Sequence, residues 1–181
     1  MKSDRQRQIL EVSKGLFLHY GFQKVTLSDI AKELGVSRPT VYQAFPNKEE
    51  IFIGLLECFF AESLARIGEV RQSGEVLGKK LEEAIEIWVV EPFQLIHSSP
   101  GVGELMDCGF DFAQETMADG YAAFEAELAG VLDDAGFSGR LVNADLAQLL
   151  AVSLRGFKPL AKDVAELRGW ISDLLTLILA T

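Results

Sequence analysis

An all-α fold of about nine helices is predicted by three features of this 181-residue sequence. Apolar residues recur every three or four positions along the whole chain, which is the spacing of one buried helix face. No segment alternates between apolar and polar residues for long enough to build a sheet. Glycine, proline and N-capping side chains interrupt the apolar pattern at intervals of helical length.

The first four helices are delimited by residues that cap or end helices. Serine, threonine and asparagine side chains accept hydrogen bonds from the unpaired N–H groups at a helix start, and glycine or proline ends a helix. Pro39 falls in the first turn of the third helix, where its missing N–H removes no hydrogen bond within the helix. The predicted helices are 4–20 between Ser3 and Gly21, 27–34 between Thr26 and Gly35, 38–45 between Ser37 and Pro46, and 48–71 after Asn47.

The later helices are longer and more apolar. Pro92 is expected to kink the fifth helix or to end its first part. Leu105 and Met106 fall in a short segment that could form a further helix. The predicted spans are 75–97, 109–135 before Gly136, 144–158 between the cap Asn143 and Pro159, and 163–179 with a capping box of Asp163 and Glu166.

Composition and motifs exclude several classes of protein. No apolar run approaches the ~20 residues that span a bilayer, and the polar N-terminus has no signal-peptide core, so we expect a cytoplasmic protein. Cys58 and Cys108, like His19 and His97, are too scattered for a disulfide framework or a metal site, and we expect both thiols to be buried. No catalytic motif is present, so neither an enzyme nor a cofactor is expected.

Charge is divided unevenly along the chain. The formal net charge is −10, yet residues 1–50 carry eight Lys and Arg against six Asp and Glu. Residues 51–181 carry nine basic residues against 21 acidic ones. This asymmetry favours a polyanion as the partner of the N-terminal quarter alone.

Residues 26–45 have the pattern of a helix-turn-helix. Two short helices joined by a turn that holds Gly35 must cross steeply, so the second can enter a DNA major groove. Lys48 begins the next helix, where its charge opposes the helix dipole, and a nearby phosphate would explain it. An αα-corner without a DNA role, and a plain solvent-facing Lys48, remain the alternatives. The outward side chains of the second helix are Arg38, Thr40, Tyr42, Gln43 and Ala44.

Residues 9–56 resemble the N-terminal domain of the tetracycline-repressor (TetR) family, through 26–31, 35–37 and above all 40–50. The resemblance implies a homodimeric, ligand-responsive repressor of transcription, with a DNA-binding domain over 1–46 and a helical regulatory domain over 47–181. It implies that Thr26, Tyr42 and Lys48 meet the DNA backbone, while Arg38, Thr40 and Gln43 face base edges. The candidate DNA-binding residues are Thr26, Ser28, Ser37, Arg38, Pro39, Thr40, Tyr42, Gln43 and Lys48.

Aromatic and methionine side chains recur on the helices that would surround the centre of the second domain. At helical spacing such residues more often form a core, and the family resemblance raises the alternative of a pocket for a small apolar or amphipathic ligand. His97 and Arg155 are the candidates for orienting polar groups. The candidate ligand-binding residues are Trp88, Phe93, His97, Phe110, Met117, Tyr121, Phe124 and Arg155.

The helix over 144–158 is apolar on two sides, which indicates a second partner. A four-helix bundle made of the last two helices, 144–158 and 163–179, from each of two subunits would bury both sides. The two-fold symmetry of such a dimer predicts a palindromic operator in double-stranded DNA. A helix central to its own domain is the alternative. One stripe comprises Leu146, Leu150, Leu154 and Phe157, and the other Leu149, Val152 and Gly156.

Overall fold

The computed structural model describes residues 2–99 and 111–180, and over these ranges it is helical, without a β-strand. The all-α prediction is confirmed. The helices are α1 Asp4–Tyr20, α2 Leu27–Glu33, α3 Arg38–Ala44, α4 Lys48–Gln72, α5 Leu77–Ile85, the π-helix Glu86–Val90, α6 Glu91–His97, a 3-10 turn Asp111–Ala113, α7 Gln114–Asp134, α8 Asn143–Phe157 and α9 Val164–Leu179. Because α5, the π-helix and α6 follow one another without a break, and the 3-10 turn runs directly into α7, the described ranges hold eight continuous helical segments.

Most helix starts follow the sequence signals. Ser3 and Gln6 form the reciprocal capping box of α1, and Asn47 Oδ1 accepts a 2.7 Å hydrogen bond from the Glu50 N–H at the start of α4. Leu105 and Met106, like the expected start of the helix at 109, lie outside the described residues. Within the described ranges, no helix is long and apolar enough to cross a membrane.

Two predicted caps are used differently. Asn143 is the first residue of α8 rather than its cap, because its side chain donates to Asp133 Oδ1 at 2.7 Å and ties α8 to the end of α7. Asp163 caps α9, but the Glu166 carboxylate accepts from the Lys162 N–H and so does not complete a box.

Pro92 alters the helix without ending it. Pro92 has no N–H to donate to the carbonyl of Trp88, and its ring would crowd that carbonyl. The chain responds with a π-helical turn over Glu86–Val90, in which the Glu91 N–H bonds to the Glu86 carbonyl five residues earlier. The helix then continues as α6.

The chain divides into two compact units. The first comprises, among the described residues, 2–59, 96–99 and 111–117. The Lys2 ammonium secures its N-terminus by donating to the Gly54 carbonyl at 3.0 Å. Its core consists of Ile9, Leu10, Phe17, Phe22, Val25, Leu27, Ile30, Ala31, Val41, Phe45 and Ile51.

The expected burial of Cys58 is wrong. Cys58 is exposed, because the buried positions that follow it on α4 are Phe60, Ser63 and Ile67, which leaves its side chain towards solvent. Cys108 lies outside the described residues.

The second unit comprises residues 60–95 and 118–180 and is built around one aromatic stack. Trp88, which is 1 % exposed, lies between two rings, with centroids 4.8 Å away at Phe124 and 5.1 Å away at Phe60. Gly120 is required beside this stack, because a Cβ there would lie 2.5 Å from the ring of Phe60.

Candidate nucleic-acid interface

The turn between α2 and α3 depends on Gly35. Its φ is +66°, in the left-handed region that favours glycine. The Gly35 N–H donates to the Lys32 carbonyl at 3.1 Å, and the Val36 N–H donates to the Ala31 carbonyl at 3.0 Å. These two bonds form a Schellman motif, which satisfies the last carbonyls of α2 and turns the chain sharply into α3.

The inner side of α3 is fixed by packing and by its ends. Val41 is fully buried and lies in the core with Ala31 and Phe45. At the far end of α3, the Gln6 side-chain amide donates to the Ala44 carbonyl at 3.4 Å. The outer side of α3 is therefore presented on a well-supported helix.

The outer side of α3 is exposed and carries no acidic residue. No Asp or Glu occurs in the sequence between Glu33 and Glu49. Tyr42 is 53 % exposed. Among the predicted DNA-binding residues, Thr26, Ser37, Arg38, Pro39, Tyr42 and Gln43 are exposed, and Ser28, Thr40 and Lys48 are half-buried.

Three candidate hydroxyls already take part in hydrogen bonds within the chain. Ser37 Oγ and Thr40 Oγ1 lie 2.8 Å apart. The Thr26 hydroxyl donates to Asp29 Oδ2 at 2.6 Å, and this bond, joined by one from the Thr26 N–H, lowers the pKa of the Asp29 carboxyl. A phosphate that accepted from Thr26 would therefore compete with Asp29.

Lys48 is held by the loop between α1 and α2. Its ammonium donates to the carbonyls of Phe22 at 3.0 Å and Gln23 at 3.1 Å, and lies 4.6 Å from the centroid of the Phe22 ring. It is thus not a plain solvent-facing side chain. These contacts explain a cation at the start of α4 without a phosphate, and one ammonium hydrogen remains for a further partner.

The described candidate ligand-binding residues are divided between the two compact units. In the second unit, Trp88 is stacked between neighbouring rings, and Phe93 and Phe124 are buried as well, so this cluster is a packed core. Tyr121 borders it, and the exposed Arg155 lies over the ring of Tyr121. His97 is exposed and Met117 half-buried, both in the first unit, and Phe110 lies outside the described residues.

Sequence reasoning missed an open groove of about 200 Å³ in the second unit. An Arg168–Glu86 ion pair joins residues 82 positions apart at its edge, and no local pattern in the sequence predicts this pairing. None of the candidate ligand-binding residues that the structure describes lines the groove. Its lining residues are Glu82, Ile85, Glu86, Val90, Arg168, Ile171, Ser172 and Leu175.

The two apolar stripes of α8 have different environments. Leu150 and Leu154 are each 1 % exposed and belong to the core of their own unit. Leu149 is 53 % and Val152 57 % exposed, and Gly156 on the same side has nothing within 4 Å of the position of a Cβ. Only the second stripe is available to a partner.

Comparison with known proteins finds similarity over the segment that contains the helix-turn-helix. A family model for bacterial regulatory proteins of the tetR family matches residues 9–55. The uncharacterized HTH-type transcriptional regulator YfiR of Bacillus subtilis is 38 % identical over 66 residues, which are 36 % of this chain and 32 % of that protein. The chain thus covers less than half the length of such curated relatives.

Two further similarities extend over most of the chain. The HTH-type transcriptional activator FasR of Mycolicibacterium smegmatis is 24 % identical over 177 residues, 95 % of this chain and 74 % of that protein. A crystal structure of a transcriptional regulator from Cytophaga hutchinsonii superposes with a TM-score of 0.78 and 18 % identity, covering 98 % of each chain. At this identity the structural likeness shows the fold.

Proposed function

We propose that this chain, whose residues 9–55 match a family model for bacterial regulatory proteins of the tetR family, is a homodimeric repressor of transcription. It binds a palindromic operator and leaves it when a small apolar or amphipathic ligand binds. Residues 1–46, together with Lys48, contact the DNA, and residues 47–181 dimerise and hold the ligand. The protein acts on double-stranded DNA in the cytoplasm.

The exposed, carboxylate-free outer side of α3 is the observation that carries the DNA-binding part of the proposal. A major groove about 12 Å wide accepts a helix, and its phosphates repel carboxylates. Arg38 lies in the first turn of α3, where a side chain reaches base edges, and Gln43 follows on the same helix. We assign Arg38, Thr40 and Gln43 to bases, and Thr26, Tyr42 and Lys48 to the backbone, with Ser28, Ser37 and Pro39 beside them.

The exposed stripe of α8 supports the dimer. Leu149 and Val152 place two large apolar side chains in solvent, and Gly156 allows another helix to approach closely. Leu177 on α9 is 73 % exposed. Pairing α8 and α9 with their counterparts would bury these residues in an intermolecular four-helix bundle.

Fluorescence anisotropy with the DNA upstream of the protein's own gene tests the proposal. We expect tight binding that weakens steeply as salt rises, because counterions are released from the phosphates. A helix-turn-helix that recruits a protein instead would show no preference for this DNA over a scrambled duplex of equal length. The same assay, repeated with candidate ligands, separates a repressor from an activator that binds DNA more tightly with its ligand.

A further inference from the structure

Two cations of the second unit converge on one tyrosine. The Arg155 guanidinium carbon lies 4.0 Å from the centroid of the Tyr121 ring, and the Lys158 ammonium donates to the Tyr121 oxygen at 3.3 Å. Arg155 lies in the last turn of α8 and Lys158 is its C-cap, where positive charge is favourable. The helix dipole accounts for cations at this end, but not for their convergence on a single side chain.

These two cations have no acidic partner in the described part of the chain. Among the described residues, no carboxylate oxygen lies within 4.0 Å of either cation. Five other basic side chains of the same unit do have such a partner, whereas Lys80, which donates to the Arg71 carbonyl, and the exposed Arg140 have no carboxylate oxygen within 4.0 Å among the described residues. The paired residues are Arg66 with Glu91, Arg71 with Asp134, Lys79 with Glu82, Lys162 with Glu166 and Arg168 with Glu86.

Tyr121 connects the two cations to the aromatic core. It is 7 % exposed, and its ring lies 6.1 Å from that of the buried Trp88. Because the Tyr121 oxygen accepts from Lys158, its own O–H hydrogen is available to donate. The Lys158 ammonium thus lies at the phenol oxygen and the Arg155 guanidinium over the ring of the same tyrosine, beside an apolar interior where charge-assisted hydrogen bonds are strong.

We propose that Arg155, Lys158 and the Tyr121 hydroxyl bind the carboxylate or phosphate group of an organic anion, whose apolar part lies against the aromatic core. This inference rests on the proposed function, since it names the chemical class of the effector. The acidic surface of the unit repels polyanions, so the site suits a small ligand with a single anionic group.

The test compares three ligands that share one apolar chain: octanoate, octyl phosphate and octan-1-ol. Thermal melting is recorded with each for the wild type, for Arg155→Gln/Lys158→Gln and for Arg140→Gln, which removes an exposed cation elsewhere in the same unit. We expect an anionic ligand to raise the Tm of the wild type and of Arg140→Gln, because it binds the native state. Octan-1-ol should have little effect.

The double variant should lose this response, with the Kd for the anion raised about tenfold or more because two charge-assisted hydrogen bonds are lost. Tyr121→Phe, which removes only the hydroxyl, should also weaken binding of the anion. This variant tests the site independently if the double variant fails to fold. In a Trp170→Phe background, the emission of Trp88 should change on binding. The stronger of octanoate and octyl phosphate identifies the anionic group.

Three results would overturn the proposal: an equal response to octan-1-ol, a response kept by the double variant, or no response to either anion. Anisotropy with upstream DNA on the same samples separates this failure from that of the proposed function. If the wild type binds the DNA but responds to neither anion, only the proposal of the anion site is contradicted. If the wild type binds no DNA, the proposed regulatory function is contradicted.

Discussion

The ammonium of Lys48 lies 4.6 Å from the centroid of the Phe22 ring and donates to the carbonyl of the same residue. The first residue of α4 thus holds the loop that leads into α2. Phe22 is also stacked on Phe112, with centroids 5.7 Å apart, within the same compact unit. Any role of Lys48 at a phosphate is therefore combined with a role in positioning the helix-turn-helix.

Lys48→Ala should accordingly lower both stability and DNA affinity. Loss of two charge-assisted hydrogen bonds should reduce the free energy of unfolding by about 1–3 kcal/mol, measured by urea denaturation. Loss of a phosphate contact should weaken binding to all sequences alike and reduce the log–log salt slope by about 0.9 per contact, or about 1.8 for a dimer. Lys14→Ala, an exposed lysine on α1, is the control. An unchanged salt slope would assign Lys48 a structural role alone.

Gly35→Ala should destabilise the protein through the backbone. Nothing lies within 4 Å of the position of its Cβ, so the cost comes from the φ of +66° and should be about 1–2 kcal/mol. Gly15→Ala is the matched control, because Gly15 lies in α1 with an equally open Cβ position. Gly15→Ala should stabilise by up to about 1 kcal/mol. Equal effects of the two substitutions would contradict this explanation of the turn.

The helix-turn-helix was largely predictable from sequence because its determinants are local. Ser37 and Gly35 act within a few residues of their positions, and so does the buried Val41. The position of Lys48 was predictable, but its partners were not, since Phe22 lies 26 residues earlier. Hydrophobic periodicity likewise cannot distinguish a stacked aromatic core around Trp88 from a pocket, because both require the same residues.

Dimerisation should depend on the exposed stripe of α8 rather than on the buried one. Leu149→Glu and Val152→Glu change side chains that are more than half exposed in the single chain, so each should fold normally and give monomers by light scattering. Leu150→Glu buries a charge inside the unit and should unfold it instead. A stable dimer in both exposed-stripe variants would place the interface elsewhere.

The ion pair between Arg66 and Glu91 should make stability depend on pH. The hydrogen bond from Arg66 holds the pKa of the Glu91 carboxyl below its ordinary value, against the opposing effect of burial. The contribution of this ion pair to the free energy of unfolding is complete above the unfolded-state pKa of a glutamate, about 4.3. It is lost as pH falls through the lower pKa that Glu91 has in the folded state.

Urea denaturation should therefore find Glu91→Gln less stable than wild type at neutral pH, with the difference closing under acidic conditions. Glu75→Gln, an exposed carboxylate before α5, should not show this convergence. A deficit of Glu91→Gln that stayed constant with pH would mean that the ion pair is not its cause.

Binding-site selection from random duplex DNA, run in parallel on wild type and Arg38→Ala, tests most directly whether the outer side of α3 reads DNA as a dimer. The wild type should select a palindrome whose half-sites lie one helical turn apart, about 34 Å, or somewhat further. Arg38→Ala should cost about 1–3 kcal/mol per half-site and lose preference at one symmetric base pair, with guanine the expected target of the arginine. Identical motifs from the two proteins, or no motif from the wild type, would contradict the assignment.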